Sequence, residues 1–220
     1  MHRLKTTLLA ATCLAIAAVT QAQAGQVTYS SYSVFNNQNV TLNDPSLGVV
    51  NESGGSGQIT LNGTNTVGGM IATWCIDVAH ILQGSGSFTT GTFLDGALGN
   101  KVNALITHVA PALSTAYDSS SALQIAIWRA EYGSALTVSA PSGASSLADS
   151  YLSKLADGTW TADPTKRVAV LAGGGSNQDQ AYLVPVPEPA SMAIMAAGLV
   201  GLGLTRRKRI SAAGGAAYSK

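Results

Sequence analysis

Two short apolar runs, residues 8–19 and 190–204, most constrain this chain of 220 residues, because only the stretch between them can build a globular core. The first run follows the basic start Met1-His2-Arg3-Leu4-Lys5 and leads into Ala22-Gln23-Ala24, a small-x-small pattern. A helix of that length reaches about 18 Å, against a hydrocarbon core of about 30 Å. Residues 1–24 therefore read as a secretory signal cut after Ala24, not as a membrane span.

The second run follows Pro187-Glu188-Pro189 and is stopped by Arg206-Arg207-Lys208-Arg209. A basic cluster beside an apolar segment favours the cytoplasmic side, so residues 25–186 are expected to face outward. As a helix this run spans about 22 Å, so stable insertion needs bilayer thinning or snorkelling of the arginines. Transient anchoring in an inner membrane is the expectation. The Val-Pro-Glu-Pro-Ala segment, the short Gly/Ala/Leu-rich span and the basic cluster, in that order, resemble the PEP-CTERM sorting signal over residues 187–209. That resemblance implies an exosortase-type membrane protease as partner and cleavage near Pro187, ahead of a tail at 210–220. It also implies a Gram-negative, exopolysaccharide-making host and a final place on the cell surface or in the extracellular matrix.

Residues 25–186 suffice for one domain with a real core. Their charged residues are five basic (Lys101, Arg129, Lys154, Lys166, Arg167) and ten acidic, a net of 5 − 10 = −5. The formal +1 of the whole chain thus comes from the segments expected to be lost. An acidic ectodomain argues against nucleic acid as a partner.

Alternating short segments at residues 27–30, 33–35, 40–42 and 58–61, the last after a Gly/Ser loop at 52–57, predict β-structure of sandwich or barrel type. The period then changes. Val102, Leu105, Ile106 and Val109 follow Asn100 as a cap and predict a helix ending before Pro111. A second helix is expected over 120–132 with Gly133 as its stop, and a third over 147–156 ended by Gly158. Strands return at 167–171 and 180–184. The fold class is α+β, a single domain with β ends and a helical centre.

Cys13 lies in the expected signal, which leaves Cys75 as the one cysteine of residues 25–186 and rules out an internal disulfide there. A lone thiol in an oxidising compartment is an inert buried residue, an intermolecular bridge or a reactive group. A Cys/His hydrolase would use His80 or His108 as base. His80, five residues after Cys75, falls on the opposite face of a strand and off the shared face of a helix, so this reading is the weakest.

Trp74-Cys75-Ile76-Asp77 and the later Leu123-Gln124-Ile125-Ala126-Ile127-Trp128 resemble the two signatures of bacterial thioester domains. The resemblance covers roughly residues 70–133 and implies that Cys75 and Gln124 are the thiol and amide partners of an internal thioester. It further implies that Ala126, Ile127 and Trp128 frame the glutamine, and the usual Thr before that glutamine is Leu123 here. The residue types suit the chemistry, since a thiolate is the best side-chain nucleophile and a carboxamide is an acyl donor that loses ammonia. Trp74 and Trp128 are expected to shield the bond, and Asp77 to orient the site, while His80 and Glu131 read as solvated polar residues. The separation of 124 − 75 = 49 residues makes the pairing tertiary.

Two functions follow as expectations. One is a covalent adhesin whose thioester acylates amine-bearing surface molecules once, without turnover as an enzyme. The other is a non-covalent module of exopolysaccharide or biofilm with an inert Cys75. No metal, cofactor or phosphate-loop motif stands out, and Gly173-Gly174-Gly175 reads as a turn.

Overall fold

The structure, a computed structural model, describes residues 25–113, 117–186 and 198. The expected secretory signal, the Pro187-Glu188-Pro189 motif, the expected membrane segment and the cluster Arg206, Arg207, Lys208 and Arg209 lie outside the described residues. Among the described residues no helix is long and apolar enough to cross a membrane.

Ala22–Val186 forms one compact unit. Eight strands, β1 (Gln26–Tyr29), β2 (Ser31–Asp44), β3 (Val49–Asn62), β4 (Met70–Cys75), β5 (Gly86–Leu94), β6 (Thr137–Ser139), β7 (Lys166–Ala172) and β8 (Gln180–Pro185), accompany three helices, α1 (Gly96–Val109), α2 (Tyr117–Tyr132) and α3 (Ser142–Ala156). The strands form one antiparallel sheet in the order β1-β5-β7-β8-β4-β3-β2-β6. The α+β class expected from the sequence is the one observed.

Helix stops follow local chemistry: Gly133 and Gly158 adopt φ of 62° and 76° just beyond α2 and α3, conformations a Cβ disfavours. Helix starts are earlier than the apolar periodicity indicates, at Gly96 instead of Asn100 and at Ser142 instead of Leu147. The strand segments 33–35 and 40–42 are two halves of β2, separated by a register shift between Phe35 and Gln38 where Asn36 takes a φ of 48°. The Gly/Ser segment 52–57 is not a loop. It belongs to β3, with Glu52 opposite Leu42 and Ser56 opposite Gln38, because a long partner strand supplies the ladder that its poor β propensity does not.

Two features of this core position the site. α2 is a central helix, with Ala122, Leu123, Ile125, Ala126 and Ile127 all fully buried, so any polar residue among them must find a partner inside. β4 changes neighbour along its length. Met70 to Thr73 pair with β3, ending at Thr73 opposite Ile59, whereas Trp74 and Cys75 pair with β8 opposite Ala181 and Gln180. Continuation of the first ladder would place Gly57 opposite Cys75, but β3 has left by then.

Candidate functional site around Cys75

Helix α2 fills the gap where β3 departs, and it does so with polar side chains. Ser120 Oγ accepts a hydrogen bond from the Gln58 amide and donates one to the Phe35 carbonyl, both 2.8 Å, bridging β2 and β3 at the bulge. Ser121 Oγ pairs with Ser56 Oγ in the interior. The close approach depends on Gly57, where a Cβ would stand 2.6 Å from the Phe35 carbonyl oxygen and 3.2 Å from Ser120 Oγ.

One turn further along α2, Gln124 meets Cys75. The Cys75 amide donates to Gln124 Oε1 at 3.0 Å, and Gln124 Nε2 donates to the Cys75 carbonyl at 2.7 Å. The carboxamide thus takes the place of the missing strand residue and satisfies both backbone groups of Cys75. Both residues are buried, at 2% and 1% exposure. The sulfur has its own partners: Sγ–H donates to the Asp77 carbonyl at 3.1 Å, and the Trp128 indole Nε1–H donates to Sγ at 3.4 Å. Tyr132 continues the row, its hydroxyl donating to the Ile76 carbonyl at 2.8 Å. Gln124, Trp128 and Tyr132 stand four residues apart on one ridge of the helix, and each grips the segment that begins at Cys75.

The surroundings keep the thiol protonated. Burial pushes the Cys75 pKa well above its ordinary value, and the hydrogen bonds from Trp128 and to Asp77 offset only part of this. Glu131, expected to be a solvated acid, is largely withdrawn from water. Its Oε2 has no hydrogen-bond partner among the described residues, and burial, followed by the carboxylates of Asp77 and Asp179, raises its pKa to about 7.

The remaining expected site residues sort by geometry. Asp77 holds the thiol through its backbone, while its carboxylate accepts from the Ala79 amide at 2.9 Å and pairs with His80 Nδ1 at 2.6 Å. Trp74 is buried, but as the strand neighbour of Cys75 it faces the other side of the sheet, so screening of the sulfur falls to Trp128. Ala126 and Ile127 are fully buried core of α2. His108 stacks on Trp160 at 5.2 Å. Neither histidine has a hydrogen bond to the thiol, whose partners are a carbonyl and an indole. The sequence places Ser121 beside Gln124 on one helix face, but nothing in it marks Ser120 or Tyr132; Tyr132 is accessible in principle, as the next four-residue step after Gln124 and Trp128.

Trp128 also lines a cleft of about 460 Å³, together with Gly54 and Gly55 of β3 and Val78, His80 and Ile81. Trp128 therefore borders this cleft and also, through its indole N–H, the sulfur. Among the described residues there is no group of three or more His, Cys, Asp or Glu side chains able to hold a metal ion.

Residues 185–209 match the PEP-CTERM protein-sorting motif. No curated protein and no solved structure matches the chain. The motif marks an exported protein sorted toward the cell surface and recognised by an exosortase-type processing enzyme.

Proposed function

We propose that residues 25–186 are the ectodomain of a covalent surface adhesin, in which Cys75 and Gln124 condense to an internal thioester that later acylates an amine on a partner. The observation that carries this reading is the two-point pairing of the Gln124 carboxamide with the Cys75 backbone. The Cys75 N–H lies on the carbonyl oxygen that gains negative charge when the thiol attacks, which is the role of an oxyanion donor. The carbonyl of Cys75 holds the nitrogen that must leave. Burial of both side chains excludes water from an acyl group that would otherwise hydrolyse.

In the first step Cys75 Sγ bonds to Gln124 Cδ, the Cδ–Nε2 bond breaks, and the thiol proton departs with the nitrogen as ammonia. In the second, an amine attacks Cδ, the C–S bond breaks, and a proton from the amine returns to sulfur, leaving an amide on Gln124 and a free Cys75. Trp128, between the cleft and the sulfur, is the screen such an amine has to pass. The reaction occurs once per molecule and involves no turnover.

Export and surface sorting fit this role, because the target is then an amine-bearing molecule outside the cell. A second reading, a non-covalent exopolysaccharide or biofilm module with an inert thiol, is favoured by one observation. The Gln124 amide is already saturated by backbone partners, as a purely structural buried glutamine would be.

Mass decides between them. A thiol only 2% exposed resists alkylation whether or not it is bonded, so protection from alkylation is no proof. The intact, unreduced wild-type protein is expected to gain the whole mass of one methylamine on treatment, and Cys75→Ala and Gln124→Ala to gain nothing. A wild-type mass unchanged by methylamine, equal to that of its sequence, overturns the thioester.

A further inference from the structure

All five basic side chains of residues 25–186 gather at one place, although this part of the chain carries twice as many acidic residues. Lys101, Arg129, Lys166 and Arg167 line a cavity of about 750 Å³, and the fifth, Lys154, lies 4.7 Å over the ring of Trp160, which lines it too. Three of these cations already hold carboxylates: Arg129 on Asp149 at 2.7 Å, Lys166 on Asp163 at 3.1 Å and Arg167 on Asp95 at 3.1 Å. The Asp149 and Asp95 side chains are 69% and 74% exposed, and exposed pairs of this kind contribute only about 0–1 kcal/mol each. An arriving carboxylate can displace Asp149 and Asp95 at little cost, whereas Asp163, itself part of the lining and held by Thr165, stays on Lys166. Lys101 has no ion-pair partner among the described residues.

We infer that this cavity is a binding site for a carboxylate-bearing oligosaccharide. The cations select the charge, and the carboxylates now seated on them show that the geometry accepts that group. The rest of the lining suits a sugar: apolar side chains such as Leu152 and Leu155 offer a floor for C–H faces, while Asn100 and Thr161 offer partners for hydroxyls. The volume of about 750 Å³ lies within the range of ligand-binding pockets. This site involves neither Cys75 nor Gln124 and stands whether or not the thioester forms.

The test uses the full chain in detergent, titrated calorimetrically with trigalacturonate, maltotriose and tripolyphosphate. Trigalacturonate is expected to bind, more weakly as salt rises, and maltotriose not to bind. The double variant Lys101→Gln/Lys154→Gln, both side chains at or over the cavity and outside the core, is expected to lose at least about tenfold in affinity, the equivalent of one charged contact. Arg167→Gln is the second variant, with the same expectation. Equal trigalacturonate binding by wild type and both variants overturns the site, as does no binding at all. Tripolyphosphate binding as tight as trigalacturonate, lost in the same variants, overturns the carboxylated-sugar assignment in favour of a general polyanion site.

Discussion

Gln124 pairs with Cys75 as a strand residue would, its Oε1 accepting from the Cys75 amide at 3.0 Å and its Nε2 donating to the Cys75 carbonyl at 2.7 Å. A helix side chain here completes a sheet edge. The contact on which the proposed thioester rests also satisfies two buried backbone groups, so Gln124 has a structural role whether or not the bond forms.

Truncation at the two partners should therefore have unequal effects. Relative to the unbonded pair, Gln124→Ala strands a buried N–H and a buried C=O, each costing about 1–3 kcal/mol, for a total of about 2–6 kcal/mol. Cys75→Ala leaves only a small cavity, costing about 1 kcal/mol. Urea unfolding midpoints of the two variants check the order; equal losses would show that the backbone pairing contributes nothing.

Gly57 should be intolerant where a nearby glycine is not. A methyl at 57 meets the Phe35 backbone oxygen at 2.6 Å, whereas one at Gly54 meets nothing within 4 Å. Gly57→Ala is expected to destabilise the fold by about 1–3 kcal/mol through overpacking of β3 against the β2 backbone. Gly54→Ala should be nearly neutral, and thermal melts of the pair measure the difference.

Glu131 should give the fold a specific pH dependence. Its pKa rises from 4.5 to about 7 on folding, through burial first and the carboxylates of Asp77 and Asp179 second. Between those values the folded chain binds more protons than the unfolded chain, so this group's contribution falls as pH rises across that window. Glu131→Gln cannot ionise. Its stability gain over wild type should therefore grow between about pH 4.5 and pH 7 and level off above, read from urea midpoints at each pH; a constant difference refutes the assignment.

Processing of the sorting signal is the fourth expectation. In a host with an exosortase, the surface-exposed form should lack Arg206, Arg207, Lys208 and Arg209, and Glu188→Ala should leave uncut protein in the inner membrane. Mass analysis of the C-terminal peptide from each fraction settles it, and a full-length C-terminus on the surface form would count against processing.

What the sequence by itself determined here is what local chemistry dictates. Gly133 and Gly158 ended their helices because the stop needs only a residue at ease with positive φ, and that information is carried at one position. The sorting motif was legible for the same reason, as a linear signal read by another protein. The tertiary structure decided what depends on a distant partner. Residues 52–57, rich in Gly and Ser, became strand because β2 lies alongside them, and Glu131, polar by type, left water because helix α2 is packed at the centre. Net charge likewise concealed the basic cavity, since a sum over residues carries no positions and only the fold brought Lys101, Arg129, Lys166 and Arg167 together. The nearness of Cys75 to Gln124, 49 residues apart, belongs to both levels: motif resemblance named the pair, and the departure of β3 from β4 made room for one to meet the other.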